Sequence, residues 1–342
     1  MLRISSNTKI FVTSPANAVS GGPELLHQLV HELNERNREA YMVYYDNPSA
    51  PIPAEYRKYN VKIADHIEDN SQNIVVVGEL IVHKAKEFNN CQLVIWWLSV
   101  DNFYGPARTY LPVSDHFKRG FTYGVDNFFY KLTHGFFKYF FNNISFKELS
   151  KANILHCYQS VYAQQFLLKR GYTEILPLSD YINTEFVNKH SAKPKENKIL
   201  YNPKKGYRFT KKLMKSAPHL KWVALEKMNR EQLLHEFETS KLYIDFGNHP
   251  GKDRIPREAV INNCCVITNT KGAAHYFEDV PIDRQYKLSE SKHSVAEIIH
   301  TIEDILNNYE QHIQNFAFYQ KTISTEKATF LAEVEQIFIN PE

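Results

Sequence analysis

Lys9-Ile10-Phe11-Val12-Thr13 is a short apolar run that ends at Ser14-Pro15-Ala16-Asn17-Ala18-Val19-Ser20-Gly21-Gly22-Pro23, and beyond it Leu25, Leu26, Leu29, Val30 and Leu33 recur at helical spacing. A run of strand length, a glycine loop and then a period near 3.6 read as strand, turn and helix. Pro23 suits the first helical turn, where its missing N–H has no carbonyl to serve, and Glu24 suits the positive end of the helix dipole. Residues 40–45, 73–78 and 92–98 are near-continuously apolar, as strands buried on both faces must be. Ile154-Leu155-His156-Cys157 follows, with Ser160 placed to cap the helix of residues 161–168 and Gly171 to stop it. The expectation for residues 1–187 is a parallel sheet with helices on both faces, a Rossmann-like domain.

Residues 188–198 are polar and basic with nothing to bury, and they read as a linker. The pattern then restarts: residues 198–201, 221–225, 241–246 and 264–268 are strand-like, with helical stretches between them. A second α/β domain is expected over 198–310. The tail, with Ile298, Ile302, Ile305 and Leu306 and later Phe330, Leu331, Val334 and Ile337 in phase, is helical, and its last part, 311–342, is expected to pack back on the first domain.

The chain has 342 residues and 40.0 kDa, ample for two cores. With 43% hydrophobic and 23% charged residues the balance is that of globular proteins and excludes disorder. The longest apolar run, 93–98, is far below the roughly 20 residues of a spanning helix, and the first residues lack an apolar stretch with a cleavage site. A cytoplasmic protein is expected. Cys91, Cys157, Cys264 and Cys265 form no C-x-x-C pair and are expected to be reduced core residues. A net charge of +3 is too mild to imply nucleic-acid binding.

Two α/β halves place their loops and helix N-termini where anionic ligands bind. Gly21 and Gly22 let a phosphate or an acceptor approach the backbone, although a tight turn alone could require them. The loop lacks G-x-G-x-x-G, which weakens a nicotinamide or flavin reading. Tyr201-Asn202-Pro203-Lys204-Lys205-Gly206 puts lysines and a glycine between strand and helix, suited to a diphosphate or to a solvated turn. The most informative stretch is Asp245-Phe246-Gly247-Asn248-His249-Pro250-Gly251-Lys252-Asp253-Arg254-Ile255-Pro256-Arg257-Glu258-Ala259. A strand enters a charged glycine loop, and a helix opens with Pro256 and Glu258 in its first turn. Glu258 can accept two hydroxyl hydrogen bonds from a sugar diol, and Lys252 and Arg254 suit phosphates.

These residues resemble the two-Rossmann-domain (GT-B) sugar-nucleotide glycosyltransferases, particularly the glycosyltransferase family 4 type of bacterial lipopolysaccharide and capsule synthesis. Ser20-Gly21-Gly22 is similar to that family's amino-terminal glycine loop, Lys205-Gly206 to its phosphate-binding pair, Glu258-Ala259 to the second glutamate of a pair spaced eight apart, and Asn269 to Ala274, with Gly272, to its glycine turn beside the donor. The resemblance implies two parallel sheets facing a central cleft and a donor subsite of Asn202, Lys205, His249, Gly251, Lys252, Arg254, Glu258 and Gly272. Gly21 and Gly22 would line the acceptor side. Pro250 stands where the family has its first glutamate, with His249 or Asp253 as substitutes, and Asn202 stands near the place of its arginine.

Asp101, just beyond the strand 92–98, is the candidate catalytic base that an inverting displacement would need, and a carboxylate at a strand end equally suits a plain turn. No D-x-D pattern stands near these loops, so no metal is expected, and no cofactor beyond a UDP- or GDP-linked sugar. Residues 103–147 hold fifteen Phe or Tyr and six Lys or Arg, far above the chain's aromatic share, and read as an insertion with its own task. As a helix, Asn127, Lys131, His134, Lys138 and Asn142 form a basic stripe beside Phe128, Phe129, Leu132 and Phe136. That fits an interfacial helix on anionic lipid, a buried helix with a narrow solvent stripe, or aromatic stacking on sugars. The expected function is glycosyl transfer from a nucleotide sugar to a glycan or lipid-linked acceptor in surface polysaccharide synthesis. The alternatives are a non-catalytic glycan- or membrane-binding relative and a GT-B sugar-nucleotide epimerase.

Overall fold

Apolar runs bounded by turns become parallel strands here because helices cover both of their faces and leave no side exposed to water. The computed structural model describes residues 2–104, 125, 128–129, 132, 149–150, 154–187 and 193–340. The chain divides into two units, Met1–Asp180 with Ala328–Glu342, and Tyr181–Lys327.

In the first unit, β1 (Lys9–Ser14), β2 (Glu39–Tyr44), β3 (Lys62–Ile63), β4 (Ile74–Gly78), β5 (Gln92–Trp97), β6 (Ile154–Tyr158) and β7 (Ile175–Pro177) form one parallel sheet in the order β3-β2-β1-β4-β5-β6-β7. Helix α1 (Gly21–Glu35) buries Leu25, Leu26, Leu29, Val30 and Leu33, the stripe read from the sequence. Ser160 caps α2 (Val161–Leu168), its hydroxyl accepting the Ala163 N–H at 3.1 Å. The edge strands β3 and β7 carry no signal in the sequence: one is two exposed residues, the other three residues ending in proline.

In the second unit, β8 (Glu196–Tyr201), β9 (Lys221–Ala224), β10 (Ser240–Asp245) and β11 (Cys265–Thr268) form a parallel sheet in the order β11-β10-β8-β9. Helices α3 (Tyr207–Ser216), α4 (Arg230–Thr239), α5 (Arg254–Ile261), α6 (Val295–Asn307), α7 (Tyr309–Gln314) and α8 (Ala317–Val334) accompany it. All four cysteines are free and buried.

The division at Asp180/Tyr181 falls earlier than the polar stretch 188–198 expected as a linker. Ile182 and Phe186 explain the difference: both are buried in the second unit's core, and the end of the polar stretch is already the start of β8. Helix α8 belongs to the second unit up to Lys327 and to the first from Ala328. Within the first unit Phe330 stacks on Trp96 at 6.2 Å, and Glu333 accepts both the amide and the hydroxyl of Ser179 at 2.6 Å. Of the aromatic stretch 103–147, the stripe residues 127, 131, 134, 138 and 142 lie outside the described residues.

Candidate functional site

Parallel strands deliver all their carboxyl-end loops to one edge of the sheet, so the loops after β8, β10 and β11 are neighbours. They are knitted together at glycines. Gly206 has φ +59°, and a Cβ there would sit 2.4 Å from the Phe246 carbonyl carbon, while a Cβ on Gly247 would sit 2.6 Å from that of Lys205. Gly272, at φ +58°, lies against His249, where a Cβ would be 2.0 Å from the carbonyl oxygen that accepts the Ala273 N–H at 2.8 Å. Asn269 completes the lacing by donating its side-chain amide to the Gly247 carbonyl at 2.6 Å. Gly272→Ala therefore meets backbone rather than a yielding side chain and enters the left-handed region as well. We expect a loss of at least about 2–3 kcal/mol in denaturant unfolding, and a loss below about 1 kcal/mol would show that the contact is not obligatory.

Behind these loops runs a chain of alternating charge. Asp245, at the end of β10, accepts the Tyr243 hydroxyl at 3.0 Å and the Gly247 N–H at 2.8 Å. His249 is wholly buried, with Nε2 3.8 Å from Asp245 and Nδ1 2.8 Å from Asp253. Asp253 in turn takes the Lys205 ammonium at 2.6 Å. Burial works against the charge on His249, but the Asp245 and Asp253 carboxylates outweigh it and raise its pKa. Lys205 behaves alike: burial opposes its charge, and Asp253 and Asp245 more than restore it. Burial alone would raise the Asp253 pKa, yet Lys205 and His249 bring it down to about 2. The contribution of a raised histidine to stability is full below its ordinary pKa and fades as pH rises through the folded value. Asp245, His249 and Asp253 present donor atoms within 4.8 Å of one another, a spacing that suits a cation, and Lys205 supplies one.

Asp253 is also the residue before α5, and it makes no side-chain cap because its carboxylate serves Lys205 and His249. The helix begins at Arg254 rather than Pro256, which places Glu258 fifth in the helix, two residues further in than the sequence suggests. Glu258 is buried, and Arg254 donates to the Tyr181 carbonyl at 3.2 Å. Lys252, expected at a phosphate, instead approaches Glu326 of α8 at 3.2 Å. Arg257, fully buried, donates to Glu326 at 2.9 Å, to the Lys252 carbonyl at 3.0 Å and to the Asp253 carbonyl at 3.3 Å. Asn202 shapes the first loop, its side chain accepting the Lys204 N–H at 2.9 Å. Gly251 is buried in the second loop.

Of the residues expected in the donor subsite, the structure brings Lys205, His249, Gly272 and the Lys252–Glu258 segment together through these contacts. It turns His249 and Lys252 inward, toward protein partners. In the first unit, Gly21 and Gly22 are the opening residues of α1, and a Cβ on Gly22 would meet open space. Asp101 lies in a short turn after β5 and accepts the Tyr162 hydroxyl at 2.8 Å. Glu79, which the sequence does not single out, accepts the Leu98 and Ser99 N–H groups at 2.9 and 3.1 Å and so fixes the turn that carries Asp101. Burial raises its pKa. Asp245 and Glu326 are likewise missed. Asp245 stands at the end of an apolar strand and could have been suspected, whereas nothing local marks Glu326, distant in sequence from the loop it serves.

No protein-family model matches the sequence, and no curated protein matches it. Solved structures do match. The chain resembles WaaG, a glycosyltransferase involved in lipopolysaccharide biosynthesis, with TM-score 0.59 and 12% identity over 97% of this chain and 100% of that one. It resembles Anabaena HepE, solved with UDP-glucose, with TM-score 0.57 and 10% identity over 96% and 98%. An Escherichia coli protein solved with UDP-2-fluoro glucose gives 0.57 and 11% over 96% and 99%. At these identities the likeness establishes the fold: the chain is a GT-B protein built of two Rossmann-like units, each with a parallel sheet.

Proposed function

We propose that this chain is a glycosyltransferase that moves a sugar from a nucleoside diphosphate sugar, UDP- or GDP-linked, to a hydroxyl of a glycan or lipid-linked acceptor in surface polysaccharide synthesis. The observation that carries the reading is the gathering of Lys205, Gly206, Gly272 and the start of α5, with Glu258, at adjacent strand ends of one sheet. Likeness to structures that hold UDP-sugars supports it. In the reaction the bond from the anomeric carbon to the diphosphate breaks, the acceptor oxygen bonds to that carbon, and the hydroxyl proton leaves to a base. Lys205 and Arg254 counter the charge that grows on the departing diphosphate, and the helix N-terminus of α5 adds to their field. Glu258 takes the ribose hydroxyls. The start of α1, bare at Gly22, admits the acceptor side, and Asp101 is the carboxylate assigned to the proton. No metal is required by this arrangement, since positive side chains do its electrostatic work.

Among the described residues of the aromatic stretch, Phe103 is buried in the first unit's core, whereas Phe128, Phe129 and Leu132 are 42%, 58% and 53% exposed. Their exposure supports contact of this stretch with an anionic lipid surface on the cytoplasmic face of a membrane. Among the described residues no helix is long and apolar enough to cross a membrane.

The test is a donor panel of UDP- and GDP-sugars read by thermal shift and by release of nucleoside diphosphate. Glu258→Ala is expected to weaken nucleotide binding by about tenfold or more, as the loss of two hydroxyl hydrogen bonds to a charged acceptor implies. No stabilisation by any nucleotide, and no turnover, would remove the assignment.

A further inference from the structure

The charge chain behind the loops has a consequence for the proposed nucleotide site, on which the following rests. Its four groups are graded in depth: the side chains of Asp245 and His249 are 2% and 1% exposed, that of Asp253 22%, and that of Lys205 30%. Only the outer pair can meet a ligand. Neither ring nitrogen of His249 makes a hydrogen bond of normal geometry, although Asp253 lies within 2.8 Å of one of them. The carboxylates therefore hold the ring chiefly by charge, and that hold is far stronger while the imidazole is protonated.

We propose that His249 is a positioning residue whose protonation governs nucleotide affinity: charged between Asp245 and Asp253, it keeps the group that backs Lys205 neutral toward an incoming diphosphate. With His249 protonated, two carboxylates face one imidazolium and one ammonium, and the net charge is zero. Loss of the proton leaves a net charge of −1 beside the position of the diphosphate, with Asp253 unscreened from behind. The diphosphate must then compete with a stronger rival for Lys205.

The groups that bear on His249 come from every neighbouring element. Asp245 and the hydroxyl of Tyr243 come from β10, Lys205 from the loop after β8, and Asp253 from the start of α5. The loop after β11 presents the uncharged backbone of Gly272 and Ala273. Glu258, further along α5, reaches the cluster through its charge on Tyr243. Burial and then Asp245 raise the Tyr243 pKa well above its ordinary value, so Tyr243 stays neutral across the range in which His249 changes. Two anions flanking one imidazole set the direction of its pKa, and a bound diphosphate raises it further, by the reciprocity of linked binding.

The test uses the full chain with UDP-glucose and GDP-mannose, whose diphosphates do not titrate between about pH 5 and 9, a window that spans the histidine transition. Wild-type affinity, read by calorimetry, is expected to weaken by about tenfold as pH rises, the effect of one unit charge a few ångströms away in a partly screened site. His249→Gln is expected to bind with the weaker, high-pH affinity throughout and to show no slope. Asp245→Asn, which removes one of the two anions, is expected to move the midpoint to lower pH, and it decides the matter should His249→Gln fail to fold. A flat wild-type profile, a slope that survives in His249→Gln, or a midpoint that Asp245→Asn leaves unmoved overturns the inference and leaves the transferase reading standing. Absence of wild-type binding to any nucleoside diphosphate sugar removes both.

Discussion

Glu326→Gln is expected to lower the stability of the second unit by about 3–5 kcal/mol, and its melting midpoint by roughly 10 °C or more. The side chain looks conservative to replace, being one polar residue on a long helix. Its setting makes it otherwise. Glu326 is 5% exposed and faces Arg257, which is fully buried, at 2.9 Å and Lys252 at 3.2 Å. Removing the carboxylate charge takes from a buried guanidinium the anion it meets at 2.9 Å, and breaking a buried pair from one side costs far more than the pair itself contributed. Lys252 can swing toward water, since its side chain is 13% exposed, but Arg257 cannot. The damage also has a direction. Arg257 binds the carbonyls of Lys252 and Asp253, so a displaced guanidinium loosens the loop that aims Asp253 at Lys205. The variant is therefore expected to bind nucleotide more weakly even where it remains folded. Arg257→Met with Glu326→Met should regain most of the stability, because two apolar groups of similar volume replace the buried pair and Lys252 can turn toward water, but not the nucleotide affinity. Denaturant unfolding of the three proteins measures this. A single-variant loss under about 1 kcal/mol would mean that water reaches the triad.

Much of the fold is legible in the sequence because it is dictated by periodicities of 2 and 3.6 and by punctuation at Gly, Pro and Ser. The runs at Ile10, Val75, Val94, Leu200 and Ile244 could be buried only as strands covered on both faces, and they are strands in the structure. What escaped has no periodicity to show: β3 is two exposed residues, and β7 is stopped by Pro177 after two others. The division between the two units is hidden for a related reason. A polar run looks like a linker, yet Ile182 and Phe186, before it, already belong to the second core.

The site was readable to a different depth at each residue. Lys205-Gly206 and Gly272 announced themselves, because glycines at strand ends have few uses, and the structure shows a specific one in loop-to-loop contact. The role of His249 could not be read, since the sequence does not say which way a loop histidine turns. Inward or outward depends on Asp245 and Asp253 lying on either side of the ring, a fact of three dimensions. Lys252 misled for the same reason, its partner Glu326 lying on a helix far along the chain.

Lys205→Met is expected to reduce kcat/KM for the true nucleotide sugar by about 10²–10³, the scale on which loss of one preorganised charge at a departing anion is felt. Lys205 is the outermost cation of the charge chain, and it follows immediately after the loop that Asn202 shapes. The position is fixed from two sides. Its stem packs where Gly247 lacks a side chain, and its ammonium is oriented by Asp253 at 2.6 Å. Such a group costs no reorganisation when charge develops on the diphosphate, which is the condition for a large electrostatic effect. Methionine keeps the length and apolar stem, so the contact with Gly247 persists. Asp253 keeps its neighbour His249, so the variant should stay folded, with a melting temperature within a few degrees of wild type. The split between constants is informative. If Lys205 acts mainly on the charge that appears as the bond to the sugar breaks, kcat falls along with kcat/KM; if it only anchors the bound diphosphate, KM rises while kcat holds. Lys205→Arg separates charge from shape: its broader head should retain binding but lose alignment with Asp253, giving intermediate turnover. Wild-type-like kinetics in Lys205→Met, with nucleotide binding intact, would place the leaving group elsewhere on the second unit and take from the loop after β8 the role argued for it.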